Sequence, residues 1–236
     1  MTTATFTAED AASTMQMLLS RAEVELRTPL ALIQGYIETL KTGAIKNGDS
    51  LTRCLEVMDK HSRRLMRVID DINAVGQLES GTAPSTCDAA FLHRCLETSI
   101  ERLTPLIEVS GSVIEADIPP GCCELKGDRM VWHLVFTKLL EELLRNLPSQ
   151  SRITFHASWE TSGCVLEVRG DAPLITRGVP PNAHVSWGEA SLGLLVVKRA
   201  LELNHGTLEW TNDPQQGCRF LLSVPCADGC TSKHCR

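Results

Sequence analysis

The sequence predicts an α+β chain: an N-terminal helical hairpin that forms a dimeric four-helix bundle, followed by an α/β sandwich. Three observations carry this. Apolar residues recur at spacings of three and four over two successive stretches. A Gly/Ser/Pro-containing segment, "GQLESGTAPSTCD", then interrupts the pattern. Beyond it, helical stretches and runs with strand-like alternation follow one another, as in a sheet covered by helices.

The first seam runs through Met15, Leu19, Ala22, Leu26, Leu30, Ile33, Ile37 and Leu40, with Pro29 inside it. That Pro removes one backbone donor and leaves the carbonyl of Glu25 without its usual partner. "KTGAIKNGDS" ends the helix at Gly43 and Gly48, and Asp49 or Ser50 can cap the next one. The second seam is Leu51, Leu55, Met58, Ser62, Leu65, Ile69 and Ile72. Two helices alone bury little, so pairing of two hairpins makes a homodimer the leading expectation. The competing reading packs the seam on the chain's own second domain.

The boundary is placed near residue 82, giving a hairpin over 1–82, a second domain over 83–226 and a Cys-rich tail over 227–236. In the second domain 89–103 reads as helix, "GSVIEADIPP" as strand, and 128–147 as a long helix capped by Asp128. "SRITFHASWE" and "GCVLEVRG" read as adjacent strands, Leu192–Asn204 as helix, and "GTLEW" and "CRFLLSVP" as closing strands. Three or four strands with helices on one face are expected. No internal repeat, P-loop pattern or Rossmann glycine triad is present in the sequence.

Composition narrows the function classes. With 43% hydrophobic and 22% charged residues, the 236-residue chain reads as folded and not disordered. The net charge of −6 is spread along the chain, and without a basic tract no nucleic-acid partner is expected. No apolar run is long enough to span a bilayer, and the first residues lack a signal-peptide core. A cytoplasmic location with the ten cysteines reduced is therefore expected. Cys54, Cys95, Cys164 and Cys218 read as small buried hydrophobes. Cys226, Cys230, His234 and Cys235 could together offer soft ligands to zinc, although their spacing is not a standard finger pattern. A frayed tail with exposed thiols is the competing reading.

"VELRTPLALIQGYIETL" resembles the phosphoacceptor box of bacterial two-component sensor histidine kinases, whose pattern is His-Glu-Leu-Arg-Thr-Pro-Leu. "RLMRVIDDINAVGQLESG" resembles the helix that completes their dimerisation and phosphotransfer bundle. "LGLLVVKRALELNHGTLEWTNDPQQGCRFLLSVP" resembles the end of their ATP-binding domain. The resemblance runs from about residue 16 to 225 and implies a histidine-kinase-like ATPase fold for the second domain.

The departures bear on function. Val24 stands where the family has its phosphorylated His, and an isopropyl group has no nitrogen to carry a phosphoryl group. Glu25, Arg27, Thr28 and Pro29 are retained. By the same resemblance Glu25 assists phosphoryl transfer and Thr28 helps place water for dephosphorylation; a solvated helix face and a cap above Pro29 are the bland alternatives. In the nucleotide site Lys138 and Glu142 replace two Asn residues, one of them a Mg²⁺ ligand, while the basic residue survives as Arg145. The following box becomes "RGDAPL", with Gly170 at the adenine-binding Asp position and Asp171 one place off. The closing loop, Leu174 to Glu189, is short; of its glycines only Gly193 remains, and Glu189 sets an anion at a helix N-terminus that should attract phosphate.

Phosphoryl transfer depends on electrostatic positioning, which these changes weaken. The expected function is a non-catalytic, pseudokinase-type signalling protein in phosphorelay control, with no cofactor. Its expected partners are response-regulator receiver domains or a partner kinase. The alternatives are a residual phosphatase, an atypical kinase acting on a response regulator, and a scaffold without phosphorelay. His61, beside Ser62, reads as a surface or interfacial residue rather than a replacement phosphoacceptor.

Overall fold

The computed structural model describes residues 8–43, 45, 47–80, 90–118, 124–160, 163–175, 187 and 190–226. The apolar periodicity produces two long helices, α1 (Ala8–Lys41) and α2 (Gly48–Ser80), which pack as a hairpin. Pro29 lies within α1, and the Thr28 hydroxyl donates to the Val24 carbonyl at 3.1 Å, one turn back. The cap of α2 is Asn47, whose Oδ1 accepts from the Ser50 N–H at 2.7 Å, rather than Asp49 or Ser50. An Asn one residue earlier reaches the first free amides, which is the ordinary capping geometry.

The buried stripe differs from the expected seams. Thr14, Leu18 and Ala22 of α1 and Cys54, Val68, Asp71 and Val75 of α2 are buried. Leu19, Leu30, Ile37, Leu51, Leu55, Ile69 and Ile72 stay exposed. The long helices therefore carry two apolar stripes each in part, and the single chain covers one of them. Leu18, Ala22, Val68 and Val75 merge with the core of the second part of the chain. That portion of the hairpin does pack on the chain's own α/β region.

The α/β region holds β1 (Ala90–Phe91), α3 (Leu92–Arg102), α4 (Thr104–Ser110), β2 (Val113–Asp117) and β3 (Glu124–Leu125). They are followed by α5 (Arg129–Asn146), β4 (Arg152–Glu160), β5 (Gly163–Gly170), α6 (Leu192–Leu203), β6 (Thr207–Asp213) and β7 (Gly217–Val224). The main sheet has five strands, not three or four, in the order β2-β4-β5-β7-β6. The edge strand β2 runs parallel to β4, and the other pairs are antiparallel. A small antiparallel pair, β1 and β3, stands apart from it. Asp128 caps α5 as expected, accepting from the Met130 N–H at 2.8 Å.

Alternation decides which face of the sheet is covered. Cys164, Leu166 and Val168 of β5, Leu208 and Trp210 of β6, and Phe220 and Leu222 of β7 are buried. On the opposite face Glu167 pairs with Arg219 and, at 2.8 Å, with Arg169. Trp210 stacks on Phe220 at 5.6 Å, and α5 contributes Trp132, Phe136, Leu139, Leu140 and Leu143, all without solvent contact. Burying such side chains stabilises the core by roughly 1.5–3 kcal/mol each. The buried Asn212 side chain bonds both the N–H and the carbonyl of Leu174, at 2.7 and 3.2 Å, and so fixes the chain leaving β5.

Candidate functional site

Helix α6 lies against both hairpin helices, and its N-terminus faces the middle of α1. The first amides of a helix have no partner of their own and carry partial positive charge. Here Ser191 caps the Leu194 N–H at 3.2 Å, and the Glu25 carboxylate takes the Leu192 N–H at 3.1 Å. The same carboxylate receives Arg21 Nε at 3.1 Å and lies 3.5 Å from Arg64 Nη2.

A second carboxyl closes the corner. Glu142 of α5 accepts from Ser191 Oγ at 2.7 Å and from Asn146 Nδ2 at 3.0 Å. Burial of this carboxyl raises it to about 7, the Ser191 hydroxyl pulling it down and the nearby Asp71, Glu25 and Glu141 pushing it further up. A Cβ at Gly193 would stand 2.4 Å from Glu142 Oε1, so only glycine lets α6 and Glu142 approach this closely.

Further contacts hold the two parts together. Lys138 bridges Asp71 at 2.7 Å and Glu141 at 3.3 Å. Burial pushes Asp71 upward even though Lys138 opposes the shift. Thr14, fully buried, donates to Glu202 at 3.0 Å and accepts from Lys198 at 2.7 Å. Arg199, also buried, meets Glu79 at 2.5 Å and Glu202 at 3.5 Å. Between the hairpin and α5 remains a cleft of about 600 Å³. Its cations are Arg21, Lys60, Arg64, Arg67, Lys138 and Arg145; its carboxyls are Glu25, Asp71, Glu141 and Glu142. A smaller cleft of about 320 Å³ lies between α1 and α6, lined by Val24, Arg21, Trp187 and Leu195.

The residues singled out in the sequence are thus only partly gathered. Val24 is 55% exposed, and Arg27 points to solvent beside Glu23 at 2.5 Å. Thr28 uses its hydroxyl on its own helix. Glu25, Lys138, Glu142, Arg145 and Gly193 meet around the larger cleft, whereas Asp171 is exposed and outside it. A side chain at Gly170 would stand 2.7 Å from Cys218 Sγ and about as close to Leu147, so packing leaves no room for one. Glu189 and most of the Leu174–Glu189 segment lie outside the described residues. So do Cys230, His234 and Cys235; Cys226 is half-buried and forms a β-bridge with Leu125. Among the described residues no group of His, Cys, Asp and Glu is arranged to hold a metal. Cys54, Cys95, Cys164 and Cys218 are buried, and desolvation raises the Cys95 and Cys218 thiols to about 11 and about 12.

Residues 14–81 match the His Kinase A (phospho-acceptor) domain family. The chain is 25% identical over 220 residues to the sensor histidine kinase CssS of Bacillus subtilis, covering 90% of this chain and 47% of that protein. It is 27% identical over 212 residues to the sensor protein DivL of Caulobacter vibrioides, covering 85% and 27%. Residues 14–81 thus carry the His Kinase A match, and over most of its length the chain is similar to two-component sensor histidine kinases. It spans less than half the length of these two relatives of the family.

The fold agrees with that similarity. The structure of the Acinetobacter baumannii histidine kinase AdeS aligns with a TM-score of 0.66 at 15% identity, over 86% of this chain and 98% of that one. The histidine kinase ThkA, solved in complex with the response regulator TrrA, aligns with a TM-score of 0.65 at 15% identity, over 93% and 65%. Among the described residues no helix is long and apolar enough to cross a membrane.

The sequence reasoning missed Thr14, Arg64, Arg67, Asp71, Ser191 and Arg199 as parts of this junction. Only Ser191, a capping residue ahead of an apolar helix, carried a local signal.

Proposed function

We propose that this histidine-kinase-family signalling protein is a pseudokinase: it acts by contact, without passing a phosphoryl group. The contact surface is the hairpin face around Val24, Arg27 and Thr28, and the partner is a response-regulator receiver domain or a genuine kinase of the same family. The observation that carries this reading is Val24, a side chain without a nucleophile at the position that resembles the phosphoacceptor. Its exposure, 55%, suits an apolar contact on a partner. Two carboxyls support the same reading. Glu25 is committed to the Leu192 N–H, Arg21 and Arg64, and Glu142 fills the space beside Gly193. ThkA, with its response regulator TrrA, illustrates a family member of this fold bound through such a partner.

The proposed organisation keeps 1–82 as the dimerising hairpin, 83–226 as a degenerate ATPase-like domain and 227–236 as a tail. The test is calorimetric titration of receiver domains against the protein and two variants. Val24→Asp is expected to weaken binding at least tenfold, since a few central residues dominate an interface. Gln215→Ala, on the exposed β6–β7 turn, is expected to leave it unchanged. Equal affinities for the two variants would move docking away from the hairpin face. Incubation with γ-labelled ATP and Mg²⁺ is expected to leave the protein unlabelled; acid-labile label on a histidine overturns the pseudokinase reading.

A further inference from the structure

Helix α1 has a second face beside the stripe it buries. Thr14, Leu18 and Ala22 go into the junction, and Gln16, Met17, Ser20, Arg21 and Val24 stand next to them at helical spacings. These residues line one side of the cleft of about 320 Å³, and Trp187 and Leu195 line the other. A cleft of this size is at the small end of those that hold ligands. Its lining divides by chemistry. Met17, Val24, Trp187 and Leu195 are apolar, while Gln16 and Ser20 present an amide and a hydroxyl. Both are exposed, and among the described residues neither side chain is bonded within the chain.

Trp187 is fixed in place. Lys198 Nζ lies 5.4 Å from its ring centre, a cation–π contact, and Lys198 is itself held by Thr14 at 2.7 Å and by Glu202. Trp210 packs at 6.2 Å between ring centres, inclined at 52°. A half-buried ring held in this way need not be ordered on binding, which removes part of the cost of association. Charge narrows the occupant. Among the described residues Arg21 is the one charged residue lining the cleft, and no carboxyl lines it. Arg21 gives Nε to Glu25 at 3.1 Å, and a guanidinium has five donors, so its Nη groups remain for an anion.

We propose that the cleft between α1 and α6 is a binding site for a small planar aromatic carboxylate. The ring lies against Trp187, Met17 and Val24, where it covers apolar surface and meets an aromatic face. The carboxylate meets the Arg21 guanidinium, whose planar fork matches paired carboxylate oxygens, and Ser20 and Gln16 donate beside it. Because α1 and α6 each supply a wall, the site exists only while the hairpin and the α/β region are docked. It stands independently of the proposed pseudokinase role.

The experiment is isothermal titration of the full chain with indole-3-acetate, and separately with tryptamine, which carries the same ring and a cation. Indole-3-acetate is expected to bind, and tryptamine to bind at least tenfold more weakly. Affinity for indole-3-acetate is expected to fall at least fivefold in Trp187→Leu and in Arg21→Gln. Arg21→Lys keeps the charge but loses the fork, and is expected to fall between. Ser20→Phe places a ring in the cleft from an exposed position and is expected to abolish binding. Arg63→Gln, an exposed arginine of α2 paired with Asp59 at 2.8 Å, is expected to bind as the parent does. In nitrogen–proton correlation spectra the Trp187 indole N–H, assigned by its loss in Trp187→Leu, is expected to shift as the ligand is added. Absence of saturable heat with indole-3-acetate overturns the proposal. So does equal affinity for tryptamine, or binding indifferent to Trp187, Arg21 and Ser20. Circular dichroism of each variant keeps a folding defect from being read as loss of binding.

Discussion

The Glu25 carboxylate caps the N-terminus of α6 by accepting the Leu192 N–H at 3.1 Å, across 167 positions of chain. A negative group at a helix N-terminus is stabilising by about 0.3–1 kcal/mol at exposed sites and more where partly buried. Glu25 sits in the stretch that resembles the phosphoacceptor box, yet its bonds are structural: they seat α6 on the hairpin. Glu25→Gln keeps the shape and removes the charge. The expected result is faster hydrogen exchange at the amides of Leu192 and Gly193, by about fivefold for a loss of about 1 kcal/mol. Glu23→Gln, on an exposed pair with Arg27, is expected to leave those amides unchanged.

Glu142 makes stability depend on pH. Its folded-state value is raised to about 7 from an ordinary 4.5, so between those values the folded protein holds a proton that the unfolded chain has released. Stability therefore falls as pH rises through this window, and the full cost is present above 7. Glu142→Gln removes the ionisation while still accepting from Ser191 Oγ. The variant is expected to be more stable than the parent at pH 8, by about 2–3 kcal/mol, with the gain gone below pH 4.5. Urea unfolding at pH 5 and pH 8 measures it; a variant equally or less stable at pH 8 contradicts the assignment.

Gly193 and Glu142 also limit one another. A methyl at residue 193 would stand 2.4 Å from Glu142 Oε1, so Gly193→Ala must displace that side chain from Ser191. The expected cost is about 1–3 kcal/mol, the range for a buried polar group that loses its partner. Combining Gly193→Ala with Glu142→Ala is expected to cost less than the sum of the separate changes, because the clash is gone.

How far the sequence revealed this arrangement depends on the range of each interaction. Long periodic stretches gave α1, α2, α5 and α6, and Asp128 marked the start of α5, because caps and amphipathic stripes are local. The stretch of β2 reads as a strand, but the expected three or four strands fall short of the five in the sheet. At its parallel edge four of the five β2 residues are exposed, so no buried face marks it as a sheet member. Asn47 was overlooked as a cap beside the more conspicuous Asp49. The junction was illegible for a different reason. Thr14 meets Glu202 across 188 positions, and Arg199 meets Glu79 across 120, so only the docking of α6 brings them together. Glu142 illustrates the same limit: as a letter it reads as an added negative charge, whereas burial, helped by the neighbouring Asp71, Glu25 and Glu141, keeps its proton to about pH 7.

Arg199 and Glu79 offer a direct measure of that docking. Arg199 is buried and keeps two carboxylate partners, Glu79 on α2 and Glu202 on its own helix. Glu79→Ala removes the partner across the junction and leaves a buried guanidinium with a single contact at 3.5 Å. Breaking one side of a partly buried pair is expected to destabilise by about 1–3 kcal/mol. Arg199→Met in the same background is expected to recover part of this, since no unpaired cation then remains. Urea midpoints of the parent, both single variants and the double variant give the coupling energy; strict additivity contradicts a direct interaction.

The homodimer proposed for the hairpin makes the last prediction. In the single chain Leu51, Leu55, Ile69 and Ile72 of α2 remain 40–51% exposed, and Leu30 and Ile37 of α1 are also open. These are the residues the periodicity placed in the helical seams, and a second hairpin would bury them as a four-helix bundle does. Leu55→Asp separates the two states, because a carboxylate at a half-exposed site is tolerated in the single chain but costly in a closed bundle. Sedimentation equilibrium at micromolar concentration is expected to give a dimer for the parent and a monomer for Leu55→Asp, with helical circular dichroism nearly unchanged. Cys54→Asp serves as the contrast: that side chain is buried within the single chain, so it is expected to lower the unfolding midpoint of the protein itself. A monomeric parent would remove the bundle from the proposal and leave the open stripe to a partner of another kind.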